Sequence, residues 1–211
     1  LGYNGNIWLL RDTDADGLED QATLFWEGKG KITAPIGMDL APQGTAHGDA
    51  VFFACQGKVM MVTDRNGDGQ AEETRVLAEG WPLARAGIDA ASTCFDPRDG
   101  SLYFGLGVRW YDNAYEIDDQ GRAHNTLESE RGAILRLSPD FKTRERLVTG
   151  VRWPIGLRFN AHHDLFCTDQ EGATWLPNGN PIDELLLYGS YSKGYKAGGY
   201  NLDRFQLGST G

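Results

Sequence analysis

The sequence predicts an all-β protein, a partial β-propeller of about three four-stranded blades followed by an extra strand-like tail. Short strand-like runs recur in three segments, four runs to a segment, and this repetition is typical of propeller blades. No segment keeps a helical period of apolar residues. Glycine supplies 28 of the 211 residues, nearly twice its usual share of about 7%, which suits a chain with many tight turns.

The first two strands of each segment form a hairpin that ends at a glycine. The first strand starts at a glycine and is mostly apolar, and the second strand follows a polar turn. The first strands are expected at residues 5–10, 57–62 and 132–137. The second strands are expected at residues 22–26, 74–78 and 144–148, and the glycines that follow them are Gly28, Gly80 and Gly150.

The third and fourth strands complete each segment. The third strands are expected at residues 36–41, 88–95 and 155–159, and the fourth at residues 51–54, 102–105 and 164–168. Three blades do not close a propeller, which typically has four to eight, and open edge strands invite aggregation. We therefore expect this chain to be part of a longer protein.

Two acidic turns occupy matching places in the first two segments, 52 residues apart (64 − 12 = 52). Both carry oxygen side chains at loop positions 1, 3, 5 and 9 and a glycine at position 6, which gives the backbone freedom for a sharp turn. Ca²⁺ takes six to eight oxygen ligands, and this spacing lets a short turn surround one ion. The candidate ligands are Asp12, Asp14, Asp16, Leu18 and Asp20 in the first turn, and Asp64, Asn66, Asp68, Gln70 and Glu72 in the second.

The acidic turns differ from an EF-hand in two ways. The bidentate Glu at position 12 of an EF-hand is replaced by Thr23 in one turn and Arg75 in the other, and no amphipathic helix flanks either turn. We therefore expect calcium loops within β-hairpins. The alternative is a solvated hairpin turn, since Asp, Asn and Gly favour turns without any ion. The third segment has residues 138–142 at this place and lacks the metal pattern.

An insertion of residues 108–131 separates the second segment from the third. Long insertions in repeat proteins tend to lie on one face, often the binding face, so this segment is the first candidate for a ligand-facing surface. The alternative is a loop that is disordered or merely covers the fold. Its candidate residues are Arg109, Trp110, Tyr111, Tyr115, His124 and Glu128.

Composition excludes several classes of protein. The formal net charge is −10 and no basic stripe is visible, so we expect no nucleic-acid partner. No apolar run reaches the roughly 18 residues of a transmembrane helix. The three cysteines, Cys55, Cys94 and Cys167, form no C-x-x-C-H motif, so we expect no haem attached to this chain. Each lies in an apolar run and is expected to be a buried thiol. The sequence starts at Leu1 without Met and without a signal-peptide pattern, so we expect a mature form or a fragment.

The repeats and acidic hairpins, together with residues 165–181 (LFCTDQEGATWLPNGNP), resemble the glucose/sorbosone dehydrogenase-like propellers of bacteria. That group is of the membrane-bound dehydrogenase type and is often fused to a cytochrome c or another haem-binding module. The resemblance covers about residues 1–186. It implies a periplasmic or secreted protein that uses calcium and pyrroloquinoline quinone, oxidises a sugar or alcohol, and partners a cytochrome c-type domain.

The resemblance also implies a catalytic histidine just before a glycine at the start of a third strand. The matching place here reads Arg85–Ala86–Gly87, without histidine, which puts the quinoprotein reaction in doubt. Histidine suits proton abstraction near neutral pH, and His124 in the insertion is the candidate base. Asp169 and Glu171 follow a fourth strand and could line a site, or else cap a turn. His47, His162 and His163 are interpreted as turn residues.

Residues 187–211 change in character and are treated as a separate segment. They are rich in Tyr and Gly and alternate along a strand, and they resemble a barrel segment of TonB-dependent outer-membrane receptors, which carry aromatic girdles. The first hypothesis is a chimera joined near residues 183–188. The alternative is an unusual strand of the next blade. One barrel strand cannot span a membrane alone, because its backbone groups would be unpaired in lipid.

Three functions therefore remain open from the sequence. The chain is part of a calcium-containing dehydrogenase-like propeller, or a non-catalytic propeller that binds a carbohydrate or a protein, or a fragment of an outer-membrane receptor. The aromatic residues of the insertion suit sugar stacking in the second case. Only the tail supports the third.

Overall fold

The structure is a computed structural model and describes residues 5–81, 89–108, 120 and 129–170, with the backbone of 191–192 and 195–196. Twelve strands form four antiparallel sheets, and a two-residue hairpin forms a fifth. The strands are β1 (Ile7–Arg11), β2 (Gln21–Trp26), β3 (Ile36–Leu40), β4 (Ala50–Cys55), β5 (Lys58–Thr63), β6 (Glu73–Glu79), β7 (Ala90–Phe95), β8 (Leu102–Leu106), β9 (Ala133–Leu137), β10 (Arg144–Thr149), β11 (Pro154–Phe159), β12 (Leu165–Asp169), β13 (Tyr191–Ser192) and β14 (Tyr195–Lys196).

The predicted fold class is confirmed, and each of the twelve predicted strands lies within a few residues of its expected place. The blades, however, begin two strands later than the sequence segments. The complete blades are β3–β4–β5–β6 and β7–β8–β9–β10, while β1–β2 and β11–β12 are two-stranded half-blades. The reason is the two-residue turn at 56–57, which pairs β4 directly with β5. The fourth strand of one segment thus bonds to the first strand of the next.

The first strand of each blade lies innermost. β7 packs against both β3 and β11, and β3 and β11 also contact each other. All three strands carry a β-bulge near their start, which increases local twist. These strands therefore line the inner side of the partial ring, and the successive sheets radiate from them.

Because the strands are antiparallel, the loops that connect consecutive strands lie alternately on two opposite faces of the molecule. One face, here called the insertion face, carries residues 27–35, 56–57 and 150–153 and both described ends of the insertion. The opposite face, here called the hairpin face, carries both acidic turns and the turns at 41–49, 96–101, 138–143 and 160–164. Contacts between blades align these faces, because Gly57 N donates to Asp89 on one and Phe95 N donates to Asp39 on the other.

Three apolar clusters bind the sheets together. The largest lies between the two complete blades and contains the fully buried Phe52, Phe104 and Leu135. A second joins the β1–β2 half-blade to the first complete blade around Trp26 and Phe53, and a third joins the second complete blade to β11–β12. Full burial of each large apolar side chain contributes roughly 1.5–3 kcal/mol, so stacking between blades is the main stabilising interaction.

The three cysteines form no disulfide and contact the apolar clusters. Cys55 and Cys94 are buried as expected, while Cys167 is half-buried. Desolvation raises the pKa of Cys55 and of Cys94 to about 11 and that of Cys167 to about 12. All three thiols therefore stay protonated near neutral pH.

The C-terminal tail is described only at β13 and β14, which pair with each other. The rest of residues 187–211 lies outside the described residues, and the chimera stays a prediction. In the part of the chain that the structure describes, no helix has the length and hydropathy needed to cross a membrane.

A buried ion pair lies in the second complete blade at the insertion face, and its aspartate also bonds the first complete blade. Arg131 Nη1 lies 2.7 Å from Asp89 Oδ1, and the two side chains are 2% and 0% exposed. Asp89 also accepts from Gly57 N at 3.0 Å, across the blade interface. Arg131 Nη1 donates to Gly107 O at 3.1 Å. The pair therefore holds both described ends of the insertion and the turn of the neighbouring blade.

We predict that Arg131→Met destabilises the protein by about 3–5 kcal/mol, because it leaves the Asp89 carboxylate buried without its cation. Urea unfolding followed by circular dichroism measures the change. Lys142→Met is the control, since the Lys142–Asp140 pair is 78% and 56% exposed and exposed pairs contribute at most about 1 kcal/mol. Equal effects of the two substitutions would contradict the role of the buried pair.

Candidate functional site

The first acidic turn is organised by its own carboxylates. Asp12 accepts from Ala15 N at 2.7 Å and from Gly17 N at 2.9 Å. Asp16 Oδ1 accepts from Leu18 N at 2.8 Å. Asp20 closes the turn, because its carboxylate accepts from Thr13 N and its own N donates to Arg11 O. Each carboxylate is therefore fixed by the backbone.

The second acidic turn repeats this pattern position by position. Asp64 at position 1 accepts from the amides at positions 4 and 6, at 2.7 Å each. Asn66 and Asp68 accept from the amides two residues further on, at 2.8 Å each. Glu72 at position 9 accepts from Arg65 N at position 2, as Asp20 accepts from Thr13. Two different sequences thus build one loop geometry.

The backbone of the two turns is also the same. Positions 4 and 6 have positive φ in both, at Ala15 (62°), Gly17 (93°), Gly67 (79°) and Gly69 (88°). Glycine reaches this region without strain, so position 6 is glycine in each turn. A side chain at Gly69 would also meet the Arg11 guanidinium, 3.2 Å from the Cβ position.

The carboxylates converge in both turns. The ligand atoms of Asp12, Asp14 and Asp16 lie within 4.8 Å of one another, and so do those of Asp64, Asp68 and Glu72. Leu18 and Gln70 stand at position 7, where the backbone carbonyl is the usual ligand. Several oxygens from one short turn around a common point are the donor set that Ca²⁺ takes.

The two turns differ in charge and in local partners. In the second turn, Asn66 Nδ2 donates to both Asp68 and Glu72, so an amide group already lies between these carboxylates. Arg65 pairs with Glu73 at 2.6 Å, outside the group of candidate ligands. The first turn has Asp at position 3 instead of Asn, and it therefore offers the more negative site.

The second turn also belongs to the blade interface. Ala71 N donates to Phe25 O at 2.7 Å, and Ala71 packs against the cluster that joins β1–β2 to the first complete blade. Nearby, Trp26 Nε1 donates to Thr74 Oγ1 at 2.9 Å. Any ion in this turn would therefore stiffen a contact between neighbouring blades.

The third hairpin provides a natural comparison. At 138–143, Ser138 Oγ donates to Asp140 and accepts from Thr143 N, and Phe141 has a φ of 60°. The turn is closed by one carboxylate and a hydroxyl instead of four oxygen side chains. The pattern needed for a metal is therefore absent from this turn, as the sequence predicted.

The insertion face carries one of the predicted ligand-facing residues, Asp169. Its carboxylate accepts from Arg152 N at 2.9 Å and from Trp153 N at 2.7 Å. Arg152 is 5% exposed and donates to Gln170 O. Asp169 thus fixes the entry to β11, which fits its interpretation as a turn cap. The other predictions here, Arg109, Trp110, Tyr111, His124 and Glu171, lie outside the described residues.

Sequence reasoning missed the buried charges Asp89, Arg131 and Arg152 at this face. The only local signal was their position, because Asp89 precedes β7 and Arg131 ends the insertion. A charged residue at the end of an apolar strand is more often exposed, so burial could not be read from the sequence.

The hairpin face contains a groove of about 210 Å³ between the ends of the inner strands. Asp39 bonds Arg158 at 3.1 Å along its wall. His163 also lines it and lies in the turn at 160–164 with a φ of 63°. His47 packs its ring 4.4 Å from that of Phe141. Both histidines therefore occupy turns, as interpreted from the sequence.

The pKa values of the carboxylates differ between the two faces. A hydrogen bond from the Gly17 amide is the main cause that lowers the pKa of Asp12 below 3.8. A hydrogen bond from the Thr13 hydroxyl is the main cause that lowers the pKa of Asp20 below 3.8. At Asp64, desolvation raises the pKa, but the amides of Gly69 and Gly67 outweigh it. At Asp169, desolvation dominates and raises the pKa above 3.8.

Comparison with known proteins agrees with the fold. A family model described as "Domain of unknown function (DUF7133)" matches residues 2–193. No curated protein matches the sequence. The PQQ domain of pyranose dehydrogenase from Coprinopsis cinerea, in its holo form, is similar with a TM-score of 0.57 at 15% identity, covering 77% of this chain and 40% of that one.

Two further solved structures are similar. A putative oxidoreductase (glucose dehydrogenase) from Thermus thermophilus has a TM-score of 0.57 at 20% identity, covering 80% of this chain and 52% of that one. A family AA12 carbohydrate-active enzyme from Trichoderma reesei has a TM-score of 0.59 at 13% identity, covering 83% and 42%. This chain therefore spans about half the length of these structures, and the likeness concerns the fold.

We predict that the carboxyl groups of Asp12 and Asp169 titrate on opposite sides of pH 3.8, and carbon NMR of the side-chain carboxyls measures both. Because the folded pKa of Asp12 is lowered, its contribution to stability is present above about pH 3.9 and is lost as the pH falls through the folded pKa. The contribution of Asp169 has the opposite sign and decreases as the pH rises towards its raised folded pKa. A reversed order of the two would contradict the hydrogen bonding at Asp12 and the desolvation of Asp169 described above.

Proposed function

This chain belongs to the DUF7133 family, and we propose that it forms part of a calcium-binding, dehydrogenase-like β-propeller. The observation that carries the proposal is the shared geometry of the two acidic turns. Two turns of different sequence keep the same hydrogen bonds at positions 1, 3, 5 and 9. A plain solvated turn does not require all four oxygens, as the third hairpin illustrates.

The ions would be held by side chains from one turn each. Asp12, Asp14, Asp16 and Asp20 would bind in the first turn with the carbonyl of Leu18. Asp64, Asn66, Asp68 and Glu72 would bind in the second with the carbonyl of Gln70. Mg²⁺ demands a stricter octahedral geometry and keeps more of its water, so the flexible carboxylate groups favour Ca²⁺.

The role of the calcium would be structural. Both turns lie on the hairpin face, away from the described ends of the insertion, and the second turn bonds to the neighbouring half-blade. An ion that binds only the folded state stabilises it by about 2.7 kcal/mol when its concentration is 100 times the Kd. Calcium would thus strengthen the stacking of blades without taking part in chemistry.

The redox part of the proposal rests on the resemblance of the sequence and on the fold. We assign sugar or alcohol oxidation with pyrroloquinoline quinone, a cytochrome c-type partner and an extracytoplasmic location to the longer protein of which this chain would be a part. Its neighbours in fold include a PQQ domain of pyranose dehydrogenase and a putative glucose dehydrogenase. Their identity to this chain is 15% and 20%.

The two arginines described at the insertion face do not fit the quinone. An anionic quinone needs accessible cationic side chains, but Arg131 and Arg152 are 2% and 5% exposed. Arg131 is bound to Asp89, and Arg152 to the carbonyl of Gln170. The substrate side is therefore assigned to the insertion, with His124 as the base, and no catalytic step is derived from the described residues.

The second candidate function is a non-catalytic propeller that binds a carbohydrate or a protein. It is favoured by the sequence Arg85–Ala86–Gly87, where the resemblance would place a catalytic histidine. Trp110, Tyr111 and Tyr115 of the insertion suit stacking on a sugar ring. A receptor fragment is the third candidate, and partition of the protein into detergent during extraction would be its first sign.

We predict that the protein binds two Ca²⁺ ions and that Asp16→Asn or Asp68→Asn weakens binding at its own turn by about tenfold or more, since affinity follows the number of charged ligands. Each substitution keeps the oxygen that accepts from position 7 and removes only the charge. Isothermal titration calorimetry measures the affinity. We expect the first turn to bind more tightly because it has Asp at position 3.

The matched control is Glu19→Gln, which removes one charge from position 8 of the first turn, outside the expected ligands. It should leave the affinity within about twofold, as expected for a screened surface charge. An effect equal to that of Asp16→Asn would mean general attraction of cations instead of a defined site. Absence of calcium binding in the unsubstituted protein would overturn the proposal.

We predict dye reduction after reconstitution with the quinone and addition of a panel of sugars, if the insertion carries the catalytic base. His124→Ala should then reduce turnover by about 10²-fold or more, the contribution of a general base. Turnover that survives the substitution would remove His124 from the reaction. No turnover with any sugar, alongside sugar binding by calorimetry, would favour the non-catalytic propeller.

A further inference from the structure

Asn66 is followed directly by Gly67 in the second acidic turn, and both residues are exposed. An asparagine side chain can react with the backbone nitrogen of the next residue, and a glycine there has no side chain to hinder the approach. The space beside Gly67 is open, since no atom beyond its chain neighbours lies within 4 Å of a Cβ built on it. This pair is therefore sterically free to react. The sequence has two further Asn–Gly steps, at 4–5 and 178–179, but neither asparagine lies within the described residues.

The Gly67 nitrogen lies in the turn between β5 and β6 and not in a strand ladder. It donates to a side chain, the Oδ1 of Asp64, at 2.7 Å. Gly67 also has a φ of 79°, a region that glycine enters without strain. A reaction at this nitrogen therefore breaks no backbone hydrogen bond of the sheet.

We propose that Asn66 is a site of spontaneous deamidation. The Gly67 nitrogen loses its proton, and its lone pair forms a bond to Asn66 Cγ, which closes a cyclic imide. The bond from Cγ to Nδ2 breaks, and the side-chain nitrogen leaves with a proton as ammonia. Water then adds to one imide carbonyl and the ring C–N bond opens. The net change is amide plus water to carboxylate plus ammonium, and nothing is oxidised or reduced.

The turn already supplies hydrogen bonds to both reacting groups. Asp64 Oδ1 accepts from the Gly67 nitrogen that attacks, so its carboxylate is placed to receive the proton. Backbone amides lower the pKa of Asp64 against the effect of desolvation, so the carboxylate passes this proton on to solvent. Asn66 Oδ1 accepts from Asp68 N at 2.8 Å, which polarises the carbonyl under attack.

Conversion to aspartate changes the donor set at the centre of the turn. Asn66 Nδ2 donates to Asp68 Oδ2 at 3.2 Å and also to Glu72, and both acids belong to the converging group that includes Asp64. A carboxylate oxygen in place of this nitrogen removes the donor and adds a negative charge. The second turn then has the same residue type at position 3 as the first turn has in Asp14. The aspartyl product therefore strengthens cation binding.

The imide also opens in a second direction. When water attacks the main-chain carbonyl of residue 66, the chain afterwards runs through the former side-chain carboxyl group. This isoaspartate lengthens the turn by one methylene group. The amides of Gly67 and Gly69, which both donate to Asp64, are then displaced from position 1. The isoaspartyl product therefore weakens the turn as an ion site.

An ion in the second turn protects Asn66, and this part of the inference rests on the proposed function. In a loaded turn, Asn66 Oδ1 is the ligand at position 3. The imide cannot close unless Cγ moves towards the Gly67 nitrogen, and this movement removes Oδ1 from the ion. Deamidation is therefore confined to turns that are empty.

Peptide mapping by mass spectrometry, after incubation of the whole chain with a chelator in mildly alkaline buffer, tests the site. Asn66 should convert at least about tenfold faster than Asn160, because only Asn66 has an unhindered glycine nitrogen beside it. Asn160 is the internal control. Its Oδ1 is also held in a turn, by His162 N and Asp164 N at 2.8 Å each, but Ala161 follows it.

Two results would overturn the modification site. One is an intact Asn66 after incubation, and the other is equal conversion at Asn66 and Asn160. Asn66→Gln is the matched variant, since it keeps the carboxamide but must close a larger ring, and it should remain unconverted.

The same map with Ca²⁺ in place of the chelator tests the protection. At a Ca²⁺ concentration of 100 times the Kd only about 1% of the turns are empty, so conversion at Asn66 should slow by at least about tenfold. Conversion at Asn160 should not change. Calcium binding at the second turn with an unchanged rate at Asn66 would overturn the protection. Absence of calcium binding by calorimetry would overturn the proposed function and the protection together, whereas conversion at Asn66 in chelator would still establish the modification site.

Asn66→Asp tests the effect of the aspartyl product on the turn. In an Asp16→Asn background, which weakens the first turn, it should raise the affinity of the second turn for Ca²⁺ by about tenfold, since affinity follows the number of charged ligands. Titration calorimetry measures this affinity. An unchanged or weaker affinity would overturn the effect assigned to the aspartyl product.

Discussion

The constraint on which the rest of this structure depends is that each blade takes its strands from two sequence repeats. The inner pair comes from the end of one repeat and the outer pair from the start of the next, because a two-residue turn at 56–57 joins β4 to β5. Stacking of blades buries the faces of the sheets. The same constraint leaves half a blade at each end of the described ring, with apolar side chains exposed there.

Antiparallel order then divides the molecule into two faces with different chemistry. The hairpin face gathers the carboxylates of both acidic turns, whose oxygens are fixed by backbone amides. The insertion face instead holds a buried ion pair that anchors the insertion, and Asp89 of this pair also bonds the neighbouring blade. The acidic turns and the described ends of the insertion therefore share no residues.

Much of the fold was predictable because short apolar strands and glycine turns are local signals, and the acidic turns follow a fixed spacing. Which strands share a blade was not predictable, because this depends on β4 pairing with β5 across the two-residue turn at 56–57. The Asp89–Arg131 ion pair could not be predicted from the sequence either. The two residues are separated by 42 positions (131 − 89 = 42), and no local pattern marks a buried partner. His124 and the aromatic residues of the insertion stay predictions.

Amide hydrogen exchange with and without calcium would test most directly the claim that the acidic hairpins are ion sites. The account predicts that calcium slows exchange in residues 12–20 and 64–72 and leaves the hairpin at 138–143 unchanged, since that turn lacks the carboxylate pattern. The third hairpin is thus a control within the same molecule. Unchanged exchange in both acidic turns, or equal slowing in all three hairpins, would contradict the account.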